Sequence, residues 1–212
     1  MKYYSILLAT LLGLGLTGCG REDKPPEPAA PQTETVSETK PSVPVIDDTS
    51  EALYHQAAQA YGKGNQTEAL QLANQALKTD KNNYKAYSLK GIILAFAGSP
   101  EEGIAMVQKA LEIHPSYTQA FFDMAMAQKL GKHYDESIFY FQKVLAVDPK
   151  NTWSYYGIAT NYADKRDKAH ALEYLQKAMA LDPEHVRPEA VSQDHFTWLR
   201  QDPEFQKVVR NQ

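Results

Sequence analysis

The chain has 212 residues, of which 43% are apolar and 23% charged, and its formal net charge is -4. That length suits one domain or one elongated repeat array, and the balance is that of a globular protein. The slight negative charge excludes the basic footprint of a nucleic-acid binder. The single cysteine, Cys19, excludes an internal disulfide and leaves a free thiol, an intermolecular bridge or a modified residue.

Met1-Lys2 is a short positive start, and Tyr3 to Leu16 is almost wholly apolar or small. This run is shorter than the roughly 20 residues a spanning helix needs, so it reads as a secretory signal over residues 1–18. The signal ends in Leu16, Thr17, Gly18 and Cys19. That tetrad resembles the lipobox of bacterial lipoproteins. The resemblance implies a diacylglyceryl thioether on the Cys19 thiol, cleavage before Cys19, and an acylated new amino group, with palmitate among the acyl chains. A thiol is the side chain best suited to forming that thioether, and several acyl chains on one residue give stable membrane anchoring where one is marginal. Gly20 follows where lipoproteins retained at the inner membrane often carry Asp. The implied location is therefore the bacterial outer membrane, facing the periplasm.

Residues 19–49 form the expected lipidated N-terminus and linker. From residue 20 onward they hold six prolines, three basic residues and seven acidic ones. Such a segment buries too little apolar surface to offset its chain entropy. It is expected to be a partly polyproline-like tether that reaches on the order of 30 Å.

From Ser50 the chain repeats with a period of 34, in segments 50–83, 84–117, 118–151 and 152–185. A small residue recurs at Ala69, Gly103, Ser137 and Ala171, and an apolar or small one four later at Ala73, Val107, Phe141 and Leu175. Ala76, Ala110, Val144 and Ala178 follow, each beside Leu77, Leu111, Leu145 or Met179. Lys81, Pro115, Pro149 and Pro183 stand at the segment ends, where the prolines are expected to stop one helix and open the next. In the first half of each segment a large residue (Leu53, Tyr87, Phe121, Tyr155) precedes a small one (Ala57, Gly91, Ala125, Ala159) by four. Ser99-Pro100-Glu101-Glu102 reads as a helix start with a capping box, and Asn65 with Glu68 as a weaker copy.

This pattern resembles the tetratricopeptide repeat (TPR) over 136 consecutive residues. The implied fold is all-α, a TPR solenoid of about four helix-turn-helix units in which each apolar face is covered by the next unit. Residues 186–212 break the pattern. Asp202 as N-cap, Pro203 at the first helical position and apolar Phe196, Leu199, Phe205, Val208 and Val209 predict one or two short helices that cap the open end of unit four.

No motif of a metal site, a nucleophile elbow or a phosphate loop is present. The pairs Glu101-Glu102 and Asp135-Glu136 suit the first turns of helices, where they complement the helix dipole. No catalytic activity, cofactor or metal is expected. The resemblance implies instead a concave groove that binds peptides, lined by Tyr54, Tyr61, Ser88, Ile92, Phe96, Phe122, Met126, Lys129, Trp153, Tyr156 and Thr160. Of the basic residues that clamp a terminal carboxylate in some TPR proteins, Lys85 and Lys129 alone could serve, and the expected asparagines are missing. The aromatic character suits an apolar or aromatic-bearing segment. Alternatively, several of these rings pack into the solenoid. Together these readings point to a membrane-anchored adaptor or scaffold for an envelope protein complex, with a partner held in the groove. The second reading is an accessory lipoprotein that modulates a cell-wall hydrolase or envelope protease. Oligomeric state is left open.

Overall fold

Ten α-helices and one 3-10 turn follow one another without a strand among the described residues of the computed structural model, which describes residues 43–210. The signal 1–18, Cys19 and the linker up to residue 42 lie outside the described residues. The helices are α1 (Asp48–Gly62), α2 (Gln66–Thr79), α3 (Tyr84–Phe96), α4 (Pro100–Ile113), α5 (Thr118–Leu130), α6 (Tyr134–Val147), α7 (Thr152–Asp164), α8 (Lys168–Leu181), α9 (Pro183–Ser192) and α10 (Pro203–Arg210). The 3-10 turn spans Asp194–Leu199. No helix among the described residues is long and apolar enough to cross a membrane.

The helices pair in order as antiparallel hairpins: α1 with α2, α3 with α4, α5 with α6, and α7 with α8. The pairs stack as consecutive helix-turn-helix repeats. The small positions explain why they stack closely. A Cβ on Gly91 would lie 2.6 Å from the carbonyl oxygen of Gly103, and one on Gly103 would lie 2.5 Å from that of Gly91. Any side chain there would drive α3 and α4 apart. In the other units Ala57, Ala69, Ala125, Ala159 and Ala171 are fully buried in the corresponding places.

Each hairpin turns on three residues, and the middle one has positive φ: Gly64 (82°), Gly98 (92°), Lys132 (64°) and Arg166 (63°). Glycine adopts this left-handed backbone freely, whereas an L side chain costs about 1–2 kcal/mol. Units three and four carry that cost. Between units one and two, and between units three and four, the chain direction is held by side-chain caps. Asn83 accepts from the Ala86 N–H (2.9 Å) and Asn151 from the Ser154 N–H (3.0 Å). Asn83 is fully buried and also donates to the hydroxyl of Ser50 (2.8 Å), which donates to the Ala76 carbonyl (2.8 Å). One polar chain thus fastens α1, α2 and α3.

Three local expectations shift. Helix α1 starts at Asp48, ahead of the expected repeat start at Ser50, because Asp47 accepts from the Ser50 N–H (3.0 Å) and so acts as the cap. Ser99 stands at the N-cap of α4 and Pro100 at its first position, but the Ser99 side chain makes no capping bond. Asn65 likewise makes no backbone cap and instead donates to Glu68 (3.2 Å). At Pro183, where the sequence predicts that one helix stops and the next opens, α9 starts at once, with Asp182 as its cap accepting from the His185 N–H (3.2 Å).

The C-terminal elements close unit four. Val186, Ala190, Phe196, Leu199, Phe205 and Val209 join Leu172, Leu175 and Met179 of α8 in one buried cluster. Phe196 and Phe205 are fully buried, with ring centroids 5.7 Å apart. The apolar residues that interrupt the repeat pattern are a cap, as a solenoid end requires.

Candidate functional site: a two-chambered groove

The first helices of the hairpins, α1, α3, α5 and α7, bring all eleven expected groove residues to the walls of two adjoining cavities. One, of about 330 Å³, is lined by Tyr54, Tyr61, Ser88, Ile92 and Tyr117, with Asp123 and Lys85. The other, of about 630 Å³, is lined by Lys129, Trp153, Tyr156 and Thr160, with Asp164, Gln193 and His195. Phe96, Phe122 and Met126 line both. They form the saddle between an N-side chamber and a cap-side chamber.

The eleven do not have equal access. Phe96 and Trp153 are 46% and 42% exposed, which is unusual for rings of that size and leaves them as free anchors. Tyr54, Tyr61, Phe122, Met126 and Lys129 are half-buried. Ser88, Ile92, Tyr156 and Thr160 are buried and act as walls. Tyr156 packs into the cap cluster, stands 6.1 Å from Phe196, and donates its hydroxyl to Gln193 (3.0 Å). Thr160 donates to the Gly157 carbonyl (2.8 Å).

The two chambers carry opposite charges. In the N-side chamber Asp123 accepts from the Ser88 hydroxyl (2.6 Å) and the Gln119 amide (2.8 Å). Among the described residues it pairs with no Lys, Arg or His. Burial pushes its carboxyl up to about 6, against the lowering pull of those two hydrogen bonds. Lys85, at the same chamber, is answered by Glu51 at 2.5 Å. In the cap-side chamber Lys129 donates to Thr160 Oγ1 (2.5 Å) and reaches His195 Nε2 (3.3 Å). His195 Nδ1 lies 2.7 Å from Asp164 Oδ1. A carboxylate only accepts, so Nδ1 carries the proton and Nε2 is left to accept from Lys129. Burial brings the Lys129 ammonium down to about 8, with the charge of Asp164 opposing.

Asp164 and His195 form a carboxylate–imidazole pair at the wall of this chamber. The free nitrogen of His195 faces an ammonium, and the nearby Thr160 hydroxyl is engaged with Lys129 and Gly157. In this arrangement His195 accepts from a cation and does not hold the Thr160 hydroxyl as a base would hold a nucleophile. No group of three His, Cys, Asp or Glu side chains among the described residues is placed to hold a metal ion.

Sequence reasoning missed Asp123, Tyr117, Gln193, Asp164 and His195. Asp123 carries a signal, a carboxylate between Phe122 and Met124 in an otherwise apolar stretch. Gln193 and His195 carry none, because the cap that delivers them has no repeat to align with.

Comparison with known proteins agrees with this architecture. The tetratricopeptide repeat family model matches residues 118–151 and 154–185, in the third and fourth units. No curated protein matches the chain. Among solved structures, MamA (41-end) from Desulfovibrio magneticus is similar, with a TM-score of 0.58, 22% identity, and coverage of 77% of this chain and 95% of that one. TTC0263, a thermophilic TPR protein of Thermus thermophilus, gives 0.64 at 17% identity, over 75% and 87%. YrrB, described as a TPR protein with an unusual peptide-binding site, gives 0.55 at 26% identity, over 64% and 70%. The fold of the chain is that of TPR proteins, whose domains bind peptide segments of partner proteins.

Proposed function

We propose that this chain is a lipid-anchored adaptor of the bacterial envelope that holds a segment of a partner protein in its two-chambered groove, and that it does no chemistry itself. One observation carries the reading. Four first helices and the cap converge on a continuous groove whose rims present the exposed rings of Phe96 and Trp153. Aromatic anchors over a concave surface are what a bound peptide uses. YrrB, which has the same fold, is described as having a peptide-binding site. The lipobox-like end at Cys19 and the proline-rich linker support display at a membrane surface, in our reading the outer membrane facing the periplasm.

A photo-crosslinker placed at Phe96 in the living host tests the groove. Capture of one dominant envelope protein, lost when Trp153→Ala is added, is the expected result. Capture that is indifferent to Trp153→Ala would sink the groove reading. The anchor is tested separately: Cys19→Ser should move the protein from the membrane fraction to the soluble one.

A further inference from the structure

The N-side chamber contains a buried charge that the fold itself does not answer. Asp123 is 6% exposed, and its carboxylate spends two of its roughly four acceptor positions on neutral donors. Burying an ion without a counter-ion is costly. Ser88 and Gln119 hold the carboxylate in a fixed orientation without neutralising it. It lines a cavity of about 330 Å³, the space of about ten water molecules and far more than one bridging water needs. The other walls are the rings of Tyr54, Tyr61, Tyr117 and Phe122. Ring faces attract cations, and an ammonium already stands near this wall: Lys85 Nζ lies 5.9 Å from the centre of the Tyr54 ring. The Lys85 charge is taken up by Glu51, so it does not serve Asp123.

We propose that this chamber is the receptor for one basic side chain, Lys or Arg, of the partner segment, with its head on Asp123 and its stem against the tyrosine rings. The proposal rests on the groove reading above and adds the chemistry of the ligand. Lys129, six residues along α5 and therefore about 9 Å further along the helix axis, already places an ammonium in the cap-side chamber, where Asp164 is engaged by His195, and so disfavours a second basic side chain there. The segment therefore carries its basic residue at the N-side chamber and an uncharged or acidic residue towards the cap. Phe96, Phe122 and Met126 hold an apolar residue between them.

Titration calorimetry on the purified full chain in mild detergent tests this, with four capped peptides acetyl-Ala-Phe-X-Phe-Ala-amide in which X is Lys, Arg, norleucine or Glu. The Lys and Arg peptides should bind about tenfold more tightly than the norleucine peptide, and the Glu peptide most weakly. Asp123→Asn should bring Lys and Arg down to the norleucine value and leave norleucine unchanged. Lowering the pH from 7.5 to 5 should erase the same preference in the parent protein, because Asp123 takes up a proton near 6. The groups facing it are Tyr54 and Tyr61 from α1, Lys85 and Ser88 from α3, Gln119 from α5 and Tyr117 just before α5. Of these, Lys85, Tyr61 and Tyr117 are shifted upward and keep their protons across that range. The norleucine peptide reports any effect of pH that arises in the other chamber. Equal affinities for Lys and norleucine, or a Lys preference that survives Asp123→Asn, overturns the proposal. Equal affinities that all fall with Trp153→Ala would remove the basic receptor and keep the groove. No binding by any peptide to the folded chain would remove both.

Discussion

The two chambers share a saddle formed by α3 and α5, yet they are built differently. The N-side chamber is made by repeat units alone and holds a buried carboxylate. The cap-side chamber is finished by the irregular C-terminal elements and holds a buried ammonium. Both charges ride on α5. At the position of Asp123 the neighbouring units carry Leu89 and Gly157, and at that of Lys129 they carry Ala95 and Ala163. The stacking positions preserve the scaffold from unit to unit, while single substitutions on one helix write opposite polarities into adjoining parts of one groove. In a solenoid these two jobs separate, because each unit contacts only its neighbours.

The largest effect should come from the cap. Phe196→Ala empties a fully buried ring site and should cost about 3–5 kcal/mol in urea unfolding. Amide exchange should quicken from α8 to α10 while α3 keeps its protection. Equal loss of protection in every helix would show that the two chambers unfold as one unit and erase the distinction.

Asp123→Asn should stabilise the protein at pH 7.5 by up to about 3 kcal/mol. The sign follows from a folded-state value of about 6, raised from 3.8. The contribution of Asp123 to stability is full below about 4 and is lost as pH rises through about 6. The gap between variant and parent should therefore open over that window, and a gap that is flat with pH would refute it.

Lys129→Met tests the other chamber with the opposite slope. The folded-state value of Lys129 is about 8, lowered from 10.5, so its contribution is present above about 10.5 and lost as pH falls through about 8. Below pH 8 the variant should gain about 2 kcal/mol on the parent relative to pH 10, while the lost hydrogen bond to Thr160 lowers both values alike and leaves that difference unchanged. The smallest effect is at the turns. Lys132→Gly should stabilise by about 1 kcal/mol by relieving a left-handed side chain. Arg166→Gly should gain less, because the Arg166 guanidinium lies 5.1 Å from the Trp198 ring and that contact would go.

The hairpins were legible because stacking demands small residues at fixed places, and Ala69, Gly103, Ser137 and Ala171 stand 34 apart in the sequence. The cap was legible from Asp202, Pro203 and the apolar Phe196 and Phe205. The turn conformation was not, since Gly64, Gly98, Lys132 and Arg166 share a backbone angle and no chemistry. The groove was legible as positions but not as access: nothing in the spacing tells that Trp153 stays exposed while Tyr156, three residues on, is taken by the cap. The charge pattern was hidden for a related reason. Asp123 and Lys129 become unusual only when three-dimensional packing removes water from them.

The four left-handed turn residues stand at 64, 98, 132 and 166, so every hairpin reverses at the same phase of the period. The array is therefore indexed like the teeth of a gear. Excision of the 34 residues from one such tooth to the next rejoins two equivalent turns and returns a shorter gear that still meshes. Excision of 33 or 35 leaves the following helices rotated out of engagement by about 100°. Groove length in this chain is thus adjustable in whole teeth only, and α5 is the tooth that cannot be removed without losing both charges at once.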